Sequence, residues 1–322
     1  MDDLNIHVLN GFGVKAKYVR QQKASYVCAT DKGEKIIKKS FDSAENILLQ
    51  RALTEHMRAN GYARAVKFEL SEAGLPYVHF GGELYTMTDY LPRLTETDFH
   101  DRDTFVKILR NIGLMHQAAS GFFGAPEPPD AIERFKKGRT EMTAIKKRLR
   151  AQKRLSDIDV TFLKNYEFYA EKIDAAIRMM EDACFSEAVK ASASNGRVCH
   201  GAIKEETALT DGDDIYFYNF SRAFAGHAVF DVCDASRRHA RRPQPATMPF
   251  TEALRLYRDV TGEVLDFNIA YPLMLYPEKF IRVCGQYYRK KRTWIPSAMA
   301  NRMEKEVNSK DAYYEYIESA VT

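Results

Sequence analysis

Alternating, strand-like segments crowd the part of this chain before Pro92, while repeats of three and four residues dominate the part after it. That segregation argues against an alternating βα order with a parallel sheet and predicts an α+β architecture, sheet first and helices after. The runs ASYVCAT (24–30) and KIIKKSF (35–41) flank the Gly-containing turn DKGE and predict a β-hairpin. AVKFEL (65–70), LPYVHF (75–80) and ELYTMTDYL (83–91) read as further strands. Between them SAENILLQRALTEHMRANGY breaks the pattern: Ser43 is a natural N-cap, good helix formers come next, and Asn60-Gly61 supplies a stop. Beyond Pro92, Phe105, Ile108, Leu109, Ile112 and Met115 fall on one helical face, and a second long helix is expected to carry Phe162, Tyr166, Tyr169, Ile173, Ile177 and Met180. Two lobes are predicted, 1–92 and 93–322, with the boundary near Leu91 to Thr95.

The 322 residues can bury a sizeable core, and 48 basic against 44 acidic side chains leave only local clusters to attract polyanions. The densest cluster is Arg134 to Arg154, with RRHARRP from Arg237 and RKKR from Arg289 as smaller ones. It reads either as a polyanion contact or as a solvated helix face; without interleaved aromatic residues, nucleic acid is not the expected partner. No apolar run is long enough for a membrane span, and the first residues have neither a basic n-region nor an apolar h-region, which predicts a cytosolic product. The cysteines, at 28, 184, 199, 233 and 284, are never spaced as CxxC; they are expected to be buried thiols, with no metal site.

Chemistry concentrates in VCHGAIKEETALTDGDDIYFYNFSRA, residues 198–223, laid out as loop, strand, turn and strand. Phosphoryl transfer needs a lysine on the phosphates, a carboxylate to accept the hydroxyl proton, and oxygen ligands for magnesium. The segment resembles the HGDxxxxNxL and IDFD motifs of the aminoglycoside and choline phosphotransferase superfamily, and the resemblance implies a bilobal protein kinase-like fold. His200 and Gly201 stand at the HG positions, Leu209 at the following apolar one, and Phe220 at the phenylalanine of the second motif. Ala202 stands where that superfamily has its catalytic aspartate, Thr207 where it has a metal-binding asparagine, and Asn219 where an aspartate would hold magnesium. Loss of a general base costs about 10²- to 10⁴-fold in rate, and loss of anionic ligands weakens the hold on a hard cation. His200 is expected to brace the loop, and Asp231 matches a loop-supporting aspartate of the same superfamily.

In the N-terminal part the resemblance places the phosphate-binding lysine at Lys38, with Lys39 as the alternative. The glutamate that pairs with such a lysine falls near Gln50, with Glu45 or Glu55 available if the helix is rotated. No glycine lies between Lys17 and Thr30 to let backbone approach a phosphate closely.

LMLYPEKFIRVCGQYYRKKRTWIP, residues 273–296, narrows the resemblance: it is similar to a segment of CotS-type spore coat proteins of sporulating Firmicutes. Tyr276, Phe280, Tyr287 and Trp294 are spaced as a buried helical face, and Pro277 suits a first helical turn. The resemblance implies a protein made in the mother cell and associated with the spore coat, whose partners are other coat proteins. With Ala202, Thr207 and Asn219 at the functional positions, the expectation is a pseudokinase acting as a binding or scaffold component, with no cofactor. Two alternatives stay open: an atypical ATP- and magnesium-dependent phosphotransferase using Glu205 or Glu206 with Asn219, and a polyanion-binding module using residues 134–154.

Overall fold

The computed structural model describes residues 3–22, 24–241, 248–289 and 296–318. A helix, α1 (Asp3–Gly11), precedes β1 (Ala16–Gln22), β2 (Ser25–Thr30) and β3 (Gly33–Ser40); α2 (Ala44–Ala59), β4 (Val78–Phe80) and β5 (Glu83–Asp89) complete this part. The strands form one antiparallel sheet in the order β1-β2-β3-β5-β4. Alternation along β3 gives that sheet two faces. Ile37 pairs with Tyr26 and Met87, and with Cys28 and Tyr85 it packs against Val8 and Leu9 of α1 and Phe12 just after it. Lys38 and Ile36 point the other way, level with Thr86 and Thr88. The N-cap of α2 is Ser43, whose hydroxyl accepts the Asn46 N–H at 3.2 Å, and the chain leaves the helix through Gly61 at φ +86°.

The 65–70 run is not a strand: only Phe68 makes an isolated bridge, to Thr88. The guanidinium of Arg58 donates to the carbonyls of Ala63 and Ala65 at 3.1 and 3.0 Å, so a side chain satisfies backbone acceptors that a ladder would otherwise have to serve.

After β6 (Thr95–Glu96) come α3 (Arg102–Ala119), α4 (Ala131–Arg150), α5 (Asp157–Asp182) and α6 (Phe185–Ser194). The loop region holds β7 (Val198–Cys199), β8 (Ala208–Thr210), β9 (Ile215–Phe217), a 3₁₀ turn at Phe220–Arg222 and β10 (Phe224–Ala225). Helices α7 (Val229–His239), α8 (Phe250–Thr261), α9 (Phe267–Leu275), α10 (Glu278–Arg289), α11 (Pro296–Asn308) and α12 (Lys310–Glu318) come last. The apolar stripe of α3 is buried along its length, as are Phe162, Tyr166, Tyr169, Ile173 and Met180 of α5; Ile177 is half-buried. Leu53 and Met57 of α2 join this larger core, so the inner face of α2 packs with the helices beyond Pro92.

Tyr276 stacks on Phe135 at 3.7 Å and Phe280 on Tyr169 at 3.8 Å, while Tyr287 packs half-buried against the same core. These aromatics therefore serve packing. Trp294, most of RKKR and the end of RRHARRP lie outside the described residues. No helix among the described residues is long and apolar enough to cross a membrane. Cys28, Cys199, Cys233 and Cys284 are buried, but Cys184 is exposed in a left-handed turn at φ 51°, contrary to the expectation for all five.

Candidate functional site

The loop after β7 is held from below. Asp231, on the first turn of α7 and fully buried, accepts the backbone N–H of His200 at 2.6 Å and of Gly201 at 2.9 Å. Its Oδ2 also meets Nε2 of His116 at 2.9 Å, and the other nitrogen of that ring meets the Tyr257 hydroxyl at 3.0 Å. Burial by itself would raise the Asp231 carboxyl pKa; the His116 hydrogen bond, the nearby imidazoles and the Gly201 amide outweigh it and hold it below the usual range. Cys199 completes a buried trio with His116 and Asp231, their donor atoms within 4.8 Å of one another. These atoms are already engaged: the Cys199 thiol donates to the His227 carbonyl at 3.2 Å, and burial pushes its pKa well up, which disfavours the thiolate a metal would need.

His200 is buried beneath Phe220, ring centroids 4.6 Å apart, and its Nε2 donates to the Tyr218 carbonyl at 2.9 Å. That bond fixes the tautomer and leaves Nδ1 buried without a partner. His200 thus ties the loop to the segment between β9 and Asn219. Burial lowers its pKa, and burial lowers those of His227 and His239 as well. A depressed folded-state pKa means that the unfolded chain takes up protons near pH 6.5 where the folded chain does not. Stability carried by these rings is therefore present above about pH 6.5 and lost below it, by up to about 1.4 kcal/mol per pH unit for each ring. Urea midpoints should fall between pH 7.5 and 5.5; a flat profile across that window would contradict the assignment.

The positions singled out in the loop meet around two adjoining cavities. Ala202, Thr207 and Asn219 all line one of about 680 Å³, and Asn219 also lines a cleft of about 400 Å³ beneath the sheet, with Lys38, Gln50, Thr86 and Thr88. Ala202 offers only a methyl group. Thr207 is buried, donating its hydroxyl proton to the Ala202 carbonyl at 2.6 Å and accepting the Lys204 N–H at 3.0 Å, so it closes the loop on itself. Asn219 adopts φ 61° and its side chain accepts the Ser221 N–H. A methyl, an engaged hydroxyl and a neutral amide do not suit a magnesium–nucleotide complex, which draws on a carboxylate base and on free oxygen ligands, at least one of them anionic, for the metal.

Lys38 keeps an exposed flank, and loss of hydration within the cleft lowers its ammonium below the usual lysine range. No carboxylate among the described residues pairs with it. Gln50, near which the resemblance puts the lysine's partner, sits buried on the inner face of α2, and its amide donates to Asn46 at 2.8 Å and Asp42 at 3.1 Å. Lys38 and Gln50 thus share the cleft, with an amide and not a carboxylate on the helix side. Lys39, the alternative, is held by Glu83 at 2.7 Å, while Lys35 is buried between Glu69 and Asp89. Glu205 pairs with Arg238 at 2.6 Å, while Glu206 remains largely exposed. Asp211 accepts the Asp213 and Asp214 N–H groups, ordinary turn chemistry, and Asp214 pairs with Arg64.

Much of the positive charge of α4 is neutralised locally. Lys136, Arg139 and Lys146 pair with Glu181, Asp174 and Glu167 of α5, and Arg134 pairs with Glu278. Sequence reading missed His116, Tyr257 and Asp42. Only His116, one step past Met115 on a buried helical stripe, carried any signal.

Searches of known proteins agree with this geometry. The family described as "Spore coat putative kinase YutH" matches residues 7–320. Among solved structures, an aminoglycoside phosphotransferase from Alicyclobacillus acidocaldarius superposes with a TM-score of 0.84 at 14% identity, covering 98% of this chain and 94% of that one. A spectinomycin phosphotransferase, solved with ADP and spectinomycin, gives 0.65 at 10% identity, covering 96% and 97%. The choline kinase LicA from Streptococcus pneumoniae gives 0.54 at 12% identity, covering 98% and 100%. At these identities the likeness establishes the fold. No curated protein sequence matches the chain.

Proposed function

This chain belongs to the Spore coat putative kinase YutH family, and on that premise we propose that it is a coat-associated pseudokinase, a binding or scaffold component made in the mother cell and partnered by other coat proteins. One observation carries the reading: the loop frame of a phosphotransferase is intact, from Asp231 through His200 and Gly201 to Phe220, while Ala202, Thr207 and Asn219 supply none of the reactive groups. The presence of Gln50 at the lysine's partner position adds to it. The frame is costly to keep without use, since it buries a carboxylate and two imidazoles, and a binding role would explain why it persists.

The competing reading, an atypical phosphotransferase, draws on Glu206, an exposed carboxylate in the wall of the cleft. Thermal unfolding with excess ATP, with and without magnesium, separates the two. A ligand at about 100 times its dissociation constant adds roughly 2.7 kcal/mol, which at about 2 to 4 °C per kcal/mol is a shift of about 5 to 10 °C. The expected result is no magnesium-dependent shift. A shift of that size, together with ATP turnover abolished by Glu206→Ala, would replace the pseudokinase by the enzyme.

A further inference from the structure

The cavity of about 680 Å³ beside the loop is framed by cationic side chains from four separate segments: the loop itself, the 3₁₀ turn, the C-terminal end of α7 and the start of α10. Several are neutralised where they stand. Arg237, buried, pairs with Asp234 and Glu278, and Arg238 pairs with Glu205; Lys204 and Lys279 each face a glutamate. Three are not. Arg222, Arg241 and Arg282 line the cavity with no carboxylate in ion-pair distance among the described residues. Arg241 is steadied over the Tyr313 ring, 5.9 Å from its centroid, and Arg222 and Arg282 project from different elements. Below them the Nε–H of Arg237 is buried without an acceptor, so the internal carboxylates do not saturate even the paired part of the wall.

We propose that this cavity binds a phosphate monoester, with Arg222, Arg241 and Arg282 as the residues that hold its phosphoryl group. Three guanidinium groups without an ion pair, lining one cavity, favour a ligand with more than one negative charge. A phosphate monoester carries about −1.5 to −2 and three acceptor oxygens, and guanidinium forks match such oxygens in pairs. The volume lies in the range of about 300 to 1,000 Å³ that small-molecule sites occupy. A free phosphorylated metabolite and a phosphorylated side chain of a partner present the same group. The site needs no magnesium and no catalytic aspartate, so it stands whether or not the chain turns over nucleotide.

The test is isothermal titration of the intact protein, in nucleotide-free buffer at low salt, with O-phosphoserine, serine, citrate, and one serine peptide with and without its phosphate. O-phosphoserine should bind and serine should not. Arg222→Gln and Arg282→Gln should each weaken binding by about 10-fold or more, as expected for a lost charge-assisted hydrogen bond. Arg255→Gln, on the exposed face of α8 and outside the cavity lining, should leave affinity unchanged. Arg282→Lys keeps the charge without the fork and should still lose affinity, which covers the case in which a glutamine variant fails to fold. Tighter binding of the phosphopeptide than of O-phosphoserine would assign a protein partner, and equal binding a free metabolite. Absence of O-phosphoserine binding, equal affinity for citrate, or glutamine variants that bind like the parent would each overturn the proposal. Failure here leaves the ATP experiment untouched, and the converse holds.

Discussion

Replacing Asp231 with alanine is expected to cost about 3 to 5 kcal/mol of stability, the size typical of breaking a buried charge network. The carboxylate is wholly buried and receives two backbone N–H groups, from His200 and Gly201, besides the ring of His116. Alanine leaves all three donors without an acceptor in a place that water does not reach, and each orphaned donor carries its own desolvation penalty. The melting temperature should fall by roughly 6 to 20 °C at about 2 to 4 °C per kcal/mol. Because the folded-state carboxyl pKa is depressed, this contribution is complete at neutral pH and fades only as pH falls through that lowered value. Asp231→Asn keeps an acceptor oxygen and should fall between parent and alanine. A loss below about 1 kcal/mol for the alanine variant, in urea unfolding at neutral pH, would mean that the loop does not depend on this carboxylate.

Gly201→Ala should be nearly as damaging, for a steric reason. At φ +73° an added Cβ would lie 2.2 Å from the backbone carbonyl oxygen of Arg222, which cannot swing aside as a side-chain tip could. The left-handed backbone costs about 1 to 2 kcal/mol and the enforced displacement about 1 to 3 kcal/mol, together about 2 to 5 kcal/mol. Gly212 provides the control: at φ +103° its added Cβ would meet nothing within 4 Å, so Gly212→Ala should show the backbone penalty alone. Equal losses in the two variants would remove the clash from the account. Because Arg222 also lines the basic cavity, Gly201→Ala should weaken phosphate-ester binding as well.

Much of the site was legible before any coordinates because it is local. The loop spans a single stretch of chain, so its resemblance to known phosphotransferase motifs could be laid on His200, Gly201, Ala202, Thr207 and Asn219 one residue at a time. The same resemblance, counted back from Gly61, led to Gln50, and the period of a helix capped by Ser43 then puts that residue on the buried inner face of α2. The 65–70 run misled because alternation predicts which side chains can be buried, not who satisfies the backbone. There Arg58 takes over carbonyls that a neighbouring strand would have needed.

By itself, then, the sequence determined the α+β class, the helix and strand periods, and the chemical identity of the groups at each loop position, since all depend on residues near one another in the chain. Only the tertiary structure decided which charges remain unneutralised. The basic run of α4 read either as a polyanion contact or as a solvated face, and several of its cations are paired, chiefly across α5, whereas Arg222, Arg241 and Arg282, far apart in sequence, line one cavity without an ion pair. Coulomb energy depends on distance in space and on hydration, and neither can be read from position along the chain.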